Sequence, residues 1–334
     1  MELFFDTAFG RLGKKALDFQ KLRAEVQAQY IAHLASYTEY ASLYGGSTNP
    51  AHQIKVGYFD SSKPNGCAAI LDGQDIIGIS SEVPKLKEGL FREIIEQPFF
   101  AEIPDHEQEG AVSWLGDCAQ HFLFWHELAH VWNGHTSFQA KAGVLFIDEL
   151  SAVSDKLGNL DYQTMEMDAD GFAAATSFNH LSRFAFPHRL TAIEGKLGPG
   201  TTSLTLGMVA IYLLFRLFDA AADFDDEERK SHPSPPLRQR LIAGSLAAQA
   251  KRSGAMEERA ALSIVLAAAH LGENLYADSR RIPRDSNAFD EALGERGDLY
   301  QRKLLRHWRV LRPQLDVLKR RGTLVPVQDI PDET

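Results

Sequence analysis

The sequence predicts an α+β fold, mostly helical, in which a small mixed or antiparallel sheet lies beside one long buried helix. Three observations predict it. Long stretches repeat apolar residues at helical spacing, residues 54–79 alternate and turn on Asp-Gly, and residues 124–135 set an ionisable motif inside an apolar helix.

Taken in order, residues 15–44 read as one amphipathic helix, with Phe19, Leu22, Val26, Tyr30, Leu34, Tyr37 and Leu43 recurring at helical spacing and Gly45-Gly46 as its stop. Residues 54–59 alternate. The apolar runs 67–71 and 76–79 flank Asp72-Gly-Gln-Asp75, the pattern of a β-hairpin. A helix is expected over 84–96, a polar loop near 104–110, and the motif helix over 111–133 with Gly134 as its C-cap. Helices are then expected over 145–156 and 160–181 and, past Gly198-Pro-Gly200, over 202–223, 237–251 and 256–275. The acidic run Asp223, Asp225, Asp226, Glu227 and Glu228 reads as solvated surface. In the basic tail, Leu304, Trp308, Leu311, Leu315 and Leu318 share one helix face, kinked near Pro313. That face is read as docking on the core with the basic face in water, and a contact for an acidic partner is the sharper alternative. The organisation follows as an N-terminal helical segment (1–48), a body carrying the motif (49–279) and a basic C-terminal helix and tail (280–334).

At 334 residues, 44% hydrophobic and 24% charged, the chain has the composition of an ordinary globular protein with ample core. Its net charge of −10 argues against general nucleic-acid binding. The two cysteines, Cys67 and Cys118, lack a C-x-x-C neighbour, which excludes a cysteine metal site and suits unpaired thiols in a reducing compartment. No basic stretch followed by an apolar run opens the chain, and its most apolar segment, 204–215, falls short of the roughly 20 residues a membrane span needs. A cytoplasmic protein with no membrane span is the expectation.

The chemistry centres on His126, Glu127 and His130, the pattern H-E-x-x-H. Residues four apart on a helix lie about 40° apart around its axis, so both imidazoles can reach one metal ion. Glu127 falls outside that pair, placed to hold and deprotonate a water rather than to ligate. Phe122, Leu123, Trp125, Leu128, Ala129 and Trp132 surround the motif, and ionisable groups in such a setting are costly without a partner such as zinc. Three protein ligands plus an open position are the rule for catalytic zinc, so a third ligand is required. His135 lies about 140° around the helix from His130 and is read as a C-terminal histidine favoured by the helix dipole. Two glutamates compete. Between His130 and Glu149 lie 18 residues, a thermolysin-like spacing, and between His130 and Glu166 lie 35. The local pattern favours Glu166, because Asp170 one turn later can accept the second N–H of a ligating histidine, and Ala169, Ala173 and Ala174 allow close helix contact.

His126-Glu-Leu-Ala-His130, then Glu166-Met-Asp-Ala-Asp170 with Ala173, then His232-Pro and Arg238, resembles in order and spacing the gluzincin family of the CAAX prenyl protease and HtpX. Residues 65–77 resemble the hairpin beside that family's active site, with Gly66 where the family has alanine. The likeness spans about 54–245 and lacks the family's membrane spans; in motif alone, a soluble chain of this kind also resembles the cytosolic phage-exclusion proteases. It implies a zincin-like metallopeptidase holding one Zn2+ per chain through His126, His130 and Glu166, with Asp170 behind a ligand and Glu127 as general base. His232 would donate to the oxyanion, and Arg238 would orient it or pair with a carboxylate. The strand Ile76, Ile77, Gly78 and Ile79 would pair with an extended protein or peptide substrate. The activity implied is zinc-dependent endopeptidase hydrolysis. The alternative is a binding or regulatory protein in which zinc is structural, a role that would leave Glu127 without a task.

Overall fold

Alternating side chains build the sheet around which the rest is arranged. The computed structural model describes residues 2–45, 53–144, 146–148, 157–183, 193, 196–197, 201–219, 230–284, 286–321 and 324–327. Its strands are β1 (Lys15–Ala16), β2 (Lys55–Asp60), β3 (Gly66–Leu71), β4 (Gln74–Ser80) and β5 (Phe146–Asp148), in the order β1-β2-β4-β3-β5. β2 and β4 run parallel and the other pairings are antiparallel. The expected hairpin joins β3 to β4 through Asp72 (φ 50°) and Gly73 (φ 77°), two left-handed residues that match the twist of the flanking strands.

The two sheet faces are both buried. Val56, Tyr58, Ala68, Ile77 and Ile79 enter the main core, while Phe59, Cys67, Ala69 and Ile76 face Phe5, Phe9 and Leu12 of a helix α1 (Glu2–Arg11). That helix was not foreseen. The helix read over 15–44 begins only at Ala24, as α2 (Ala24–Gly45), and still stops at Gly45. Ahead of it, β1 pairs with β2 and the Leu17 amide donates to Tyr58 O, so a sheet edge claims residues that helical spacing had assigned to α2. Residues 84–96 are helical as expected but change pitch, from a 3₁₀ turn through a π turn into α3 (Arg92–Ile95).

The motif helix α4 runs Asp105–Trp132, six residues earlier than its apolar pattern begins, with Asp105 and Glu107 in the first turn where the helix dipole favours them. Tyr37 of α2 stacks on Phe124 of α4 with ring centroids 4.5 Å apart, which ties the N-terminal segment into the same core. Gly134, at φ 86°, ends the helix as expected, and α5 (His135–Lys141) starts at once. Of the helix expected over 145–156, residues Phe146–Asp148 form β5 instead, paired with Cys67–Ala69. A short apolar run fits either state by period, and the open edge of β3 decided it. Glu149 and the rest of that segment lie outside the described residues.

Further along the body lie α6 (Asn159–Arg183), α7 (Thr202–Phe218), α8 (Pro235–Ser253) and α9 (Glu258–Arg280). α7 ends at Phe218 rather than 223, with Asp219 extended, and the acidic run lies outside the described residues. Among the described residues, α9 is the one helix long and apolar enough to cross a membrane; half of that stretch is buried in the fold. Its Glu273 pairs at 3.0 Å with Arg216 of α7, both buried. At the C-terminal end, α10 (Ser286–Leu293) and α11 (Glu295–Asp316) follow, the latter running through Pro313. Trp308, Leu304, Leu311 and Leu315 of α11 form a second core with Tyr162, Met165, Leu237 and Leu241, so these four residues of the expected face dock, while Leu318, expected on the same face, lies past the helix end and is half-buried outside that core. No disulfide joins Cys67 and Cys118.

Candidate metal centre

α4 and α6 lie against each other with Ala129, Ala169, Ala173 and Ala174 wholly buried, small residues that let the two backbones approach closely. The approach lays the 126/130 face of α4 on the 166/170 face of α6. His126, His130 and Glu166 each offer one donor atom, all within 4.8 Å of one another, and all three are buried. The separations are 2.9 Å between the two Nε2 atoms, 3.1 Å from His126 Nε2 to Glu166 Oε2, and 3.3 Å from His130 Nε2 to Glu166 Oε1.

The second nitrogen of His126 fixes its proton. Asp170 Oδ1 lies 2.8 Å from His126 Nδ1, and Arg238 at the start of α8 donates to the same carboxylate twice, from Nε to Oδ2 and from Nη2 to Oδ1, each at 2.8 Å. Burial pushes the Asp170 carboxyl up, but Arg238 and His126 outweigh it and hold it below the ordinary carboxylate range. An ionised carboxylate accepts, so Nδ1 carries the His126 proton and Nε2 turns a bare lone pair into the cluster. The Arg238 guanidinium also stacks on the ring of Phe215, 4.2 Å from its centroid. Of the two roles expected for Arg238, the structure gives it the carboxylate.

Burial also opposes ionisation of Glu166, yet the imidazoles of His232, His130 and His126 hold its carboxyl well below the usual value. Burial lowers His130 to about 4, which leaves it neutral near pH 7. Glu166 Oε2 is close to two imidazole nitrogens but aligned with neither as a hydrogen bond. Two imidazole nitrogens and two carboxylate oxygens therefore converge in a buried space, a donor set of the kind that holds a metal cation. The buried group can hold a metal ion.

His232 lies in the turn before α8, with Nε2 3.3 Å from Glu166 Oε2 and Nδ1 2.8 Å from Ser231 Oγ. Its side chain, 14% exposed, is more open than those of the three donors. Glu127 is buried against Gly66 at the start of β3, where a Cβ would stand 2.2 Å from Glu127 Oε1. The glycine that departs from the resembled pattern is thus the residue that makes room for the Glu127 carboxylate.

The expected substrate strand is corrected. Ile76, Ile77, Gly78 and Ile79 lie in β4, which pairs with β2 on one side and β3 on the other, so no edge is left there for a further strand. A hairpin read from sequence does not reveal which of its strands a third will cover.

His135 is also more than a helix-end histidine. It is fully buried, with Nδ1 2.9 Å from His130 Nδ1 and Nε2 3.2 Å from Asp168 Oδ2. Asp168 in turn accepts from Asn133 Nδ2 at 2.5 Å and from the Val325 amide at 3.2 Å. Sequence reasoning missed His135, Asp168 and Asn133 as a set. The one signal was their polarity, two residues past Glu166 and within five of His130, in otherwise apolar helices. No known protein family, curated protein or solved structure matches the chain, so the gluzincin likeness rests on the motif residues alone.

Proposed function

We propose that this chain is a zinc-dependent endopeptidase of zincin-like type, acting on a protein or peptide substrate. The observation that carries the reading is the His126–His130–Glu166 cluster with Glu127 beside it. In a tetrahedral site with zinc about 2.0–2.1 Å from its ligands, neighbouring donors stand about 3.3 Å apart. The three separations here, 2.9, 3.1 and 3.3 Å, suit that ion. Three protein donors would leave the position that a catalytic zinc keeps open. A zinc ion there supplies Lewis acidity, lowering the pKa of water to about 7 and polarising a carbonyl.

The residues of the chain divide the remaining work. Asp170 and Arg238 hold His126 in its ligating tautomer. Glu127 takes the proton of the attacking water and returns it to the departing amine. His232, at the more open side of Glu166, donates from its ring to the carbonyl oxygen as negative charge builds there. An extended substrate adds to an outer strand of the sheet, and among the described residues β5, the neighbour of β3, is the outer strand on the side of Glu127.

The burial of all three donors and Glu127 favours a second reading, a structural zinc in a binding or regulatory protein. Glu127→Gln separates the two. The enzyme reading expects one zinc retained and peptide hydrolysis lost, with three protein donors and one light oxygen seen by X-ray absorption. A fully active Glu127→Gln variant, or a zinc closed by four protein donors, would sink it.

A further inference from the structure

We propose that Asp168 and His135 form a relay that sets the tautomer of His130 and thereby its competence as a ligand; the inference rests on the metal-site reading above. The argument starts from one short contact. His130 Nδ1 and His135 Nδ1 stand 2.9 Å apart in a fully buried setting, so one nitrogen must carry the proton of this contact and the other must accept it. If His135 carried it, His130 would bear its own proton on Nε2, the atom facing His126 and Glu166, and could not ligate through it. If His130 carries it, Nε2 keeps its lone pair for the cluster.

Asp168 decides between them. Its carboxylate oxygen lies 3.2 Å from His135 Nε2, and the approach is too oblique for a hydrogen bond, so it acts as a contact between charge and dipole. A lone pair on Nε2 would face a negative charge, whereas an N–H there is attracted to it. With the His135 proton drawn to Nε2, its Nδ1 becomes the acceptor and His130 the donor. The proton order Asp168, His135, His130 then points one lone pair at the metal position. His126 reaches the same state through Asp170 directly; His130 reaches it through an intervening ring.

The carboxylate is held in place from two other elements. Asn133, the C-cap of α4, donates to Oδ2, and the Val325 amide of the C-terminal segment donates to Oδ1. That segment is fastened in turn, since Trp308 Nε1 and Arg312 Nε both donate to Val325 O at 3.0 Å and the Arg320 amide donates to Trp132 O at 2.8 Å. Gly134 lets it cross, because a Cβ there would come within 2.8 Å of the backbone between Leu318 and Lys319. Leu318, Lys319, Arg320 and Val325 thus back the outer side of the site.

Two measurements on the full chain test the relay. In the zinc-free wild type, two-bond nitrogen–proton correlation spectra are expected to place the proton on Nδ1 of His130 and on Nε2 of His135. Zinc ion competed against a chromophoric chelator is expected to bind His135→Leu and Asp168→Asn about 10- to 100-fold more weakly. His135→Gln, whose amide oxygen can still accept, is expected within a few-fold of wild type. A His130 proton on Nε2 in the wild type overturns the relay whatever the variants do, as does wild-type affinity in His135→Leu. A wild type that binds no zinc defeats the metalloenzyme reading, and the tautomer spectrum of the same zinc-free chain still decides the relay. Absence of peptidase activity leaves both measurements intact.

Discussion

Replacing Gly66 by alanine tests whether the placement of Glu127, and not only its presence, matters. The new Cβ would lie 2.2 Å from Glu127 Oε1, 2.9 Å from Cδ and 3.0 Å from Cγ. Comfortable contact between such atoms is about 3.5 Å, so the carboxylate oxygen must retreat by more than about 1 Å. A displacement of that size at a catalytic group costs about 100-fold in rate, which is about 2.7 kcal/mol of barrier. The fold has little to lose, because the clashing atoms end a flexible side chain and alanine in a strand is favoured over glycine by about 0.5–1 kcal/mol. Metal binding at the proposed site is expected to persist, since the three atoms nearest the added methyl group all belong to Glu127 and not to His126, His130 or Glu166. The assay is kcat/KM on a pool of quenched fluorescent peptides, with zinc content by mass spectrometry and the thermal midpoint alongside. The expected result is one zinc, an unchanged midpoint and a rate about 100-fold lower. In the Gly66→Ala, Glu127→Gln double variant, no further loss is expected beyond Glu127→Gln alone. A wild-type rate in Gly66→Ala with zinc in place would refute the assignment of Glu127 as the positioned base.

Three further outcomes follow from the same geometry. After dialysis, Glu166→Ala is expected to lose zinc while Glu149→Ala keeps about one per chain; the reverse would move the third ligand to Glu149 and remove the roles given to Asp170 and His232. Burial holds His130 at about 4, against about 6.5 in the unfolded chain, so between those values the unfolded state binds the proton and the folded state does not. The zinc-free protein should therefore lose up to about 3 kcal/mol as pH falls from 6.5 to 4, with the depressed carboxyls of Glu166 and Asp170 adding loss below about 4.5. Urea midpoints that stay flat or rise on acidification would contradict this. Trp308→Ala empties a fully buried site between α6, α8 and α11 and removes the N–H bond to Val325 O, so a loss of about 3–5 kcal/mol is expected in urea unfolding; a loss below about 1 kcal/mol would mean that α11 is not docked there.

What could be read from the sequence was whatever spacing along one element encodes. His126 and His130 share a face because four residues make just over one helical turn, and the same period sets Asp170 behind Glu166. Asp72-Gly73 forced a hairpin because few residues accept two left-handed conformations in succession. The docking of α11 was legible for the same reason, its apolar residues recurring on one side. Each of these is local, and each survives wherever the element is placed.

Partnerships between elements were not legible. β4 reads identically as an edge or a centre strand, and the parallel pairing with β2, made across an intervening strand, closed the edge that a substrate was expected to use. Residues 15–16 and 146–148 became strands because sheet edges were open to them, not because of any period of their own. His135 sits on the wrong side of an ideal helix to join His130. The left-handed Gly134 ends α4 and turns the next helix back, and only then does the second ring meet the first. The sequence by itself determined that His126 and His130 could turn toward one ion, because the spacing of neighbours on a helix is a matter of period, and it left Glu149 and Glu166 both open as the third donor. Tertiary structure alone decided which nitrogens are left bare to ligate, because a proton's place on an imidazole depends on charges brought in from other helices and from the far end of the chain.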